Sequence, residues 1–125
     1  MHEAAIRVLL ADDDEGFLVS LRELVDRQPE LTVVASAENG VEAVELAARL
    51  EPEAAVIDLH MPKLDGIGAI ARLRRDHPTM CLIALTGDDD REVQAAAERA
   101  GADAVLGKGE LVGALIDRLT GARAA

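Results

Sequence analysis

Phe17 is the only aromatic residue among 125; tryptophan and tyrosine are absent. A core here must be built from Ala, Val, Leu and Ile. Nucleic-acid binding by base stacking on aromatic side chains is nearly excluded. Cysteine is almost as scarce. Cys81 stands alone, so no intramolecular disulfide forms, and its place in the apolar run M-C-L-I-A-L (residues 80–85) predicts a buried core thiol. Positive charge is short as well, with 13 Lys and Arg against 24 Asp and Glu and a formal net charge of -11. The longest basic cluster is Arg72, Arg74 and Arg75. That balance argues against nucleic acid or an anionic membrane as direct partners, and it favours a divalent cation or a basic protein surface. No apolar run approaches the ~20 residues that span a bilayer. Residues Met1 to Ala5 lack a basic-then-apolar leader pattern. The expected location is the cytoplasm.

What is present is regular alternation. Short apolar runs at Ile6–Ala11, Leu31–Ala35, Ala54–Ile57, Cys81–Leu85 and Ala104–Leu106 read as strands. Between them lie segments of helical period. Phe17, Leu18, Leu21, Leu24 and Val25 stripe the first helix, over Glu15–Arg27, which ends before Pro29. Asn39-Gly40 predicts a turn, and Val41, Val44 and Ala48 mark a second helix up to Leu50. Ile67, Ile70, Ala71 and Leu73 give a third, stopped before Pro78. Asp90–Ala100 is helical and Ala-rich, and Leu111, Val112, Leu115, Ile116 and Leu119 stripe a last helix.

Strict βα alternation implies a parallel sheet with right-handed crossovers and helices on both faces. The third strand carries no polar residue, as a strand covered on both sides requires. Five such units predict a flavodoxin-like (βα)5 fold, five parallel strands in the order 2-1-3-4-5. Residues 1–120 are expected to form one domain, with 121–125 a frayed tail or the start of a linker.

In an open α/β sheet, ligands bind outside the carboxyl ends of the strands. Asp12, Asp13, Asp14 and Glu15 follow strand one here, and Asp58 follows strand three. Thr86 and Gly87 follow strand four, and Lys108 and Gly109 follow strand five. The predicted order brings all of these to one sheet edge around Asp58. One reading of the acidic run is helix capping, since Asp12 with Glu15 fits D-x-x-E. Capping accounts for one or two acids and leaves the others crowded. Two carboxylates ~4 Å apart repel by roughly 4 kcal/mol at an effective dielectric of about 20. A hard divalent cation relieves that, and Mg²⁺ suits few carboxylates and several waters.

The constellation resembles the receiver domain of two-component response regulators. The residues that carry the resemblance are L-L-A-D-D-D at 9–14, V-I-D-L-H-M-P-K-L-D-G at 56–66, L-T-G at 85–87 and A-G-A-D-A-V-L-G-K-G at 100–109. It runs from about Ile6 to Leu119. The loop after Asp58 and the style of strand five resemble the subgroup fused to helix-turn-helix DNA-binding domains.

The resemblance implies that Asp58 accepts a phosphoryl group from a phosphohistidine on a sensor histidine kinase or phosphotransfer protein. It implies that Asp12, Asp13, Asp58 and the backbone carbonyl of His60 hold Mg²⁺, for which Mn²⁺ could substitute. Lys108 would pair with the phosphoryl oxygens, and Thr86 and Gly87 would respond to them. The implied output is transcription where the domain is fused to a DNA-binding domain. The partners would then include that domain or a second copy of the chain. The implied role is that of a phosphoacceptor and not a turnover enzyme. His60 and Asp88 flank the implied site and could tune dephosphorylation, with an exposed loop histidine the other reading of His60. His2 and His77 read as surface residues.

The chain departs from the family pattern in two places. Val105 stands where a Tyr or Phe is usual, three residues before the lysine, so an aromatic relay to Thr86 is absent. Gly109 replaces a frequent proline. Two other readings remain open from the residues. One is a receiver-like interaction module that works without phosphorylation. The other is a phosphatase of the haloacid-dehalogenase type, whose D-x-D-x-[TV] motif Asp12 and Asp14 match but Gly16 does not.

Overall fold

The computed structural model describes residues 5–61, 65–87, 91–108, 114, 117–119 and 121. Five strands, β1 (Ile6–Ala11), β2 (Leu31–Ala37), β3 (Ala54–Asp58), β4 (Cys81–Thr86) and β5 (Ala104–Gly107), alternate with helices α1 (Glu15–Asp26), α2 (Gly40–Leu50), α3 (Gly66–Asp76) and α4 (Arg91–Ala100). All strand pairs are parallel, and the order is β2-β1-β3-β4-β5. This is the expected flavodoxin-like arrangement. Residues 114, 117–119 and 121 are helical, on the segment predicted as the last helix. The other stripe residues of that helix (Leu111, Val112, Leu115 and Ile116) lie outside the described residues. So do His2, Pro62 to Leu64, Asp88 and Gly109.

The pleat sends alternate residues to opposite faces, and each face has its own core. Leu9, Ala55, Ile57, Leu82 and Ala84 meet Ala43 and Ala47 of α2, Ala69, Ile70 and Leu73 of α3, and Ala97 of α4. Val8, Leu10, Val56, Ile83 and Leu85 meet Leu18, Leu21 and Val25 of α1, together with Leu119. Burying a Val, Leu or Ile side chain stabilises by roughly 1.5–3 kcal/mol, so aliphatic residues alone can supply this core. The small side chains of α2 let that helix lie close to the sheet. β3 is central, and all five of its residues are buried.

Several boundaries differ from expectation because the pairing runs further than the apolar runs. β2 continues through Ser36 and Ala37, which pair with Leu10 and Ala11. Asp58 pairs with Leu85 and Thr86 with Gly107, so both polar residues are the last members of their strands and do not open loops. Asn39 makes no separate turn. It caps α2, its side chain accepting from the Glu42 N–H at 2.8 Å. Cys81 is half-buried, because it opens β4 at the sheet's amino edge where the core thins. Burial, then the charge of Asp103, raises its thiol pKa above the ordinary value.

Candidate functional site

Three of the four strand ends that carry candidate residues present polar groups to one small volume. Asp12 follows β1 directly, and its N–H donates to the Ala37 carbonyl at 3.0 Å, extending the β1–β2 ladder by one bond. The side chain is fully buried, and Oδ1 accepts from the Asp14 N–H at 2.8 Å. Asp14, not Asp12, caps α1: its Oδ1 accepts from the Phe17 N–H at 3.1 Å. The D-x-x-E capping reading is therefore corrected. The strand ends at Ala11, so the helix needs its cap two residues beyond Asp12, and this leaves Asp12 turned inward. Asp13 is exposed beside it.

Asp58 is 2% exposed, and its Oδ1 accepts from the His60 N–H at 3.3 Å. The backbone beyond it is tied down on both sides. Leu59 N–H donates to the Leu85 carbonyl at 2.9 Å, and Gly66 N–H to the Leu59 carbonyl at 3.3 Å. A β-carbon on Gly66 would collide with the Asp58 carbonyl, so only glycine lets α3 start this close to the strand end. Asp65 caps that helix, accepting from the Gly68 N–H at 2.7 Å.

Lys108 reaches in from just past β5. Its Nζ lies 2.8 Å from Asp12 Oδ2 and 3.7 Å from Asp58 Oδ1. It also stands 4.6 Å from the centroid of the Phe17 ring. Thr86 is buried at the end of β4, one residue beyond Leu85, the sheet partner of Asp58. A β-carbon on Gly87 would meet nothing within 4 Å, so there is open space beside it.

The electrostatics follow from this crowding. Burial, then the neighbouring Asp12 charge, pushes the Asp58 carboxyl up to about 6; the His60 N–H and Lys108 oppose that, and Asp13 adds to it. Burial is the largest influence on Lys108 and lowers its pKa, but its short ion pair with Asp12 and the fields of Asp58, Asp12 and Asp14 outweigh it. The ammonium is held above its ordinary value. One cation thus faces three carboxylates, whose nearest oxygens lie within 4.8 Å of one another. Asp12 Oδ2 is buried and faces the Lys108 ammonium at 2.8 Å. An acceptor-only, all-oxygen donor set of three crowded carboxylates against one ammonium fits a hard divalent cation.

The structure therefore brings together Asp12, Asp13, Asp58 and Lys108, with Thr86 ending the neighbouring strand on the same sheet edge. His60 is exposed, and its backbone N–H contacts Asp58. The sequence reading did not assign Phe17 or Gly66 to the site. The strand pleat held the signal for Phe17: Asp12, Asp58 and Lys108 continue the parity of Leu10, Val56 and Leu106, which face α1.

Comparison with known proteins gives a consistent answer. A family model described as the response regulator receiver domain matches residues 8–120. Protein-glutamate methylesterase/protein-glutamine glutaminase 4 of Myxococcus xanthus (strain DK1622) is 42% identical over 109 residues, 86% of this chain and 31% of that protein. The chain thus spans less than a third of that curated relative. A two-component response regulator of the LuxR family from Aurantimonas sp. SI85-9A1 superposes with a TM-score of 0.84 at 29% identity. That match covers 94% of this chain and 87% of the other. A response regulator from Burkholderia pseudomallei, solved with a phosphorylated aspartic acid, calcium ion and citrate, gives 0.83 at 30% identity, covering 94% and 69%.

Proposed function

This chain belongs to the response regulator receiver domain family, and we propose that Asp58 is its phosphoacceptor, with Asp12, Asp13 and the His60 carbonyl completing a Mg²⁺ site. The observation that carries this is the Lys108 ammonium held between Asp12 and Asp58, at 2.8 and 3.7 Å, with three carboxylates converging on one point. The phosphorylated aspartic acid and calcium ion of the Burkholderia protein support the same chemistry.

An Asp58 carboxylate oxygen attacks phosphorus in a phosphohistidine of a sensor kinase. An O–P bond forms and the P–N bond breaks, with the electron pair returning to the imidazole. The nucleophile and the phosphoryl group are both anionic, so catalysis is mainly positioning and charge neutralisation. A bound divalent cation would supply much of that neutralisation. Lys108 supplies a second positive charge and donates to phosphoryl oxygens. The His60 N–H holds Asp58 in position. Thr86 and the Gly87 N–H meet the new acceptor oxygens, and their movement biases the loops at this edge. Val105 cannot provide an aromatic relay, so the response of Thr86 passes through backbone and aliphatic packing. Asp88, outside the described residues, and His60 are the groups proposed to tune loss of the phosphoryl group.

On this reading residues 1–120 are the receiver unit and 121–125 lie beyond it. The domain is a switch, not a turnover enzyme, and it works in the cytoplasm where sensor kinases present phosphohistidine. Among the described residues no helix is long and apolar enough to cross a membrane. The output belongs to a partner or to a further domain. A DNA-binding domain controlling transcription is the reading that the LuxR-family neighbour supports, and a methylesterase domain is the one that the Myxococcus relative supports.

The test is incubation with acetyl phosphate and Mg²⁺, followed by intact-mass measurement. An acid-stable, base-labile adduct of one phosphoryl group is expected on the wild type and none on Asp58→Asn. No adduct on the wild type would instead favour the phosphorylation-independent module, and an undiminished adduct on Asp58→Asn would move the nucleophile elsewhere.

A further inference from the structure

The one aromatic side chain of the protein is at the site and not at the centre of either core. Phe17 lies in the first turn of α1, half-buried, its backbone N–H fixed to the Asp14 cap. Its ring packs on the edge of the α1-side core. The Lys108 ammonium stands 4.6 Å from the ring centroid while touching Asp12.

Lys108 needs such a neighbour. A lysine side chain has four rotatable bonds and loses substantial entropy when held in one place. β5 ends at Gly107, so Lys108 has no strand pairing of its own. Asp12 alone would fix the ammonium at a buried carboxylate. A ring face attracts a cation through its quadrupole. It offers no lone pair to compete with incoming oxygens for the ammonium protons. An aliphatic residue of similar size would fill the same volume without that attraction.

We propose that Phe17 is a positioning residue for Lys108: its ring face holds the ammonium over the Asp12–Asp58 pair, in the place from which it meets a phosphoryl group on Asp58. The consequence for phosphorylation rests on the reading of Asp58 given above, whereas the contact between Phe17 and Lys108 can be tested without it.

The chain has two lysines, Lys63 and Lys108. In the NMR spectrum of the full chain, the ε-methylene protons of Lys108 should resonate upfield of those of Lys63 because of the ring current. Phe17→Leu, which keeps an apolar side chain on α1, should abolish that difference, and Phe17→Tyr should keep it. With acetyl phosphate and saturating Mg²⁺, Phe17→Leu should be phosphorylated about 3- to 10-fold more slowly, the range expected for one partly desolvated cation–π contact. Phe17→Tyr should restore the rate. In a Lys108→Ala background, Phe17→Leu should have no further effect.

Coincident Lys63 and Lys108 ε-protons in the wild type would overturn the proposal, and this readout requires no variant to fold. So would a wild-type rate in Phe17→Leu, or an equal slowing with and without Lys108, which would make Phe17 a packing residue of α1. A wild type that takes no phosphoryl group at all sinks the phosphoacceptor reading instead. In that case the ring-current comparison still decides whether Phe17 places the ammonium.

Discussion

The α-carbon of Gly66 is packed against the backbone of Asp58, so closely that a β-carbon there would overlap the Asp58 carbonyl oxygen and Leu59 Cα. The collision is with backbone, which cannot rotate away as a side chain can. Either the start of α3 or the end of β3 has to move. Alanine is the better helix former by about 1 kcal/mol, yet Gly66→Ala is expected to destabilise, because overpacking of this kind costs about 1–3 kcal/mol or more. Urea unfolding measures the loss. Gly87→Ala, whose β-carbon meets nothing within 4 Å, is the control and should lie within about 0.5 kcal/mol of wild type. Equal stabilities for the two variants would show that the α3 start adapts freely.

The raised pKa of Asp58 makes metal-free stability depend on pH. Its carboxyl goes from the ordinary 3.8 to about 6 in the folded chain, chiefly through burial and the Asp12 charge. The folded state therefore binds the extra proton between those values. Stability falls as pH rises through that window and levels off above about 6. At 1.4 kcal/mol per unit the change amounts to at most about 3 kcal/mol. Asp58→Asn removes the buried charge, so in EDTA at pH 7 it should be more stable than wild type, and its stability should lack that pH-dependent fall. Parallel pH profiles for the two proteins would contradict this assignment.

A divalent cation should act in the opposite direction. On the proposed reading it would bind the folded arrangement of Asp12, Asp13 and Asp58, so Mg²⁺ is expected to raise the melting temperature in a concentration-dependent way. At a hundredfold excess over its dissociation constant the stabilisation is about 2.7 kcal/mol. Asp13 is exposed and takes no part in the core. Asp13→Asn should fold normally and lose most of the Mg²⁺ response. The response should also weaken below pH 6, where the proton on Asp58 competes with the metal. Thermal melts with and without Mg²⁺ at pH 5.5 and 7.5 check both statements. An unchanged melting temperature in wild type would remove the metal from the site.

The residues of this site differ in how far they could be read from the sequence, and the reasons are physical. Periods of 2.0 and 3.6 in apolar residues are set by the pleat and the helical turn, so the five strands and the sheet order could be inferred. From that order the convergence of Asp12, Asp58 and Lys108 followed. Which of four consecutive acids caps α1 did not follow, since the answer depends on where the β1–β2 ladder stops, and that is fixed by the Asp12 N–H reaching Ala37. Phe17 lies on a helical stripe, and a stripe does not distinguish a residue at the edge of a core, beside the site, from one at its centre. Cys81 sits in an apolar run but opens β4, where it is only half-buried. Arg74 was the largest miss. In the sequence it is one member of the basic cluster with Arg72 and Arg75, and local spacing carries no information about a partner 27 residues away.

Arg74 ties together the amino edge of the sheet, opposite the acidic site. Its Nε and Nη2 donate to the Gly101 carbonyl at 3.0 and 2.8 Å, and its Nη1 to the carbonyls of Pro78 and Met80 at 2.9 and 2.8 Å. Nη2 also meets Asp103 Oδ2 at 2.8 Å, and Asp103 in turn accepts from the Leu82 N–H. One guanidinium thus satisfies the ends of α3 and α4 and the approaches to β4 and β5. Gly101, at φ 125°, leaves room for the Arg74 stem that a β-carbon would fill. Arg74→Met keeps the apolar stem and strands these acceptors. Each partly buried unpaired carbonyl costs roughly 1–3 kcal/mol. Water reaches the rim, so a total loss of about 2–3 kcal/mol is expected. Arg74→Lys should do little better, because a single ammonium cannot address carbonyls on several sides at once. The proposed acceptor site lies at the other end of the strands, so the acetyl phosphate rate per folded molecule should stay at the wild-type value in both variants. Urea titration and the phosphorylation rate, measured on the same samples, separate the two effects. A slowed rate in fully folded Arg74→Met would mean that this end of the sheet communicates with Asp58.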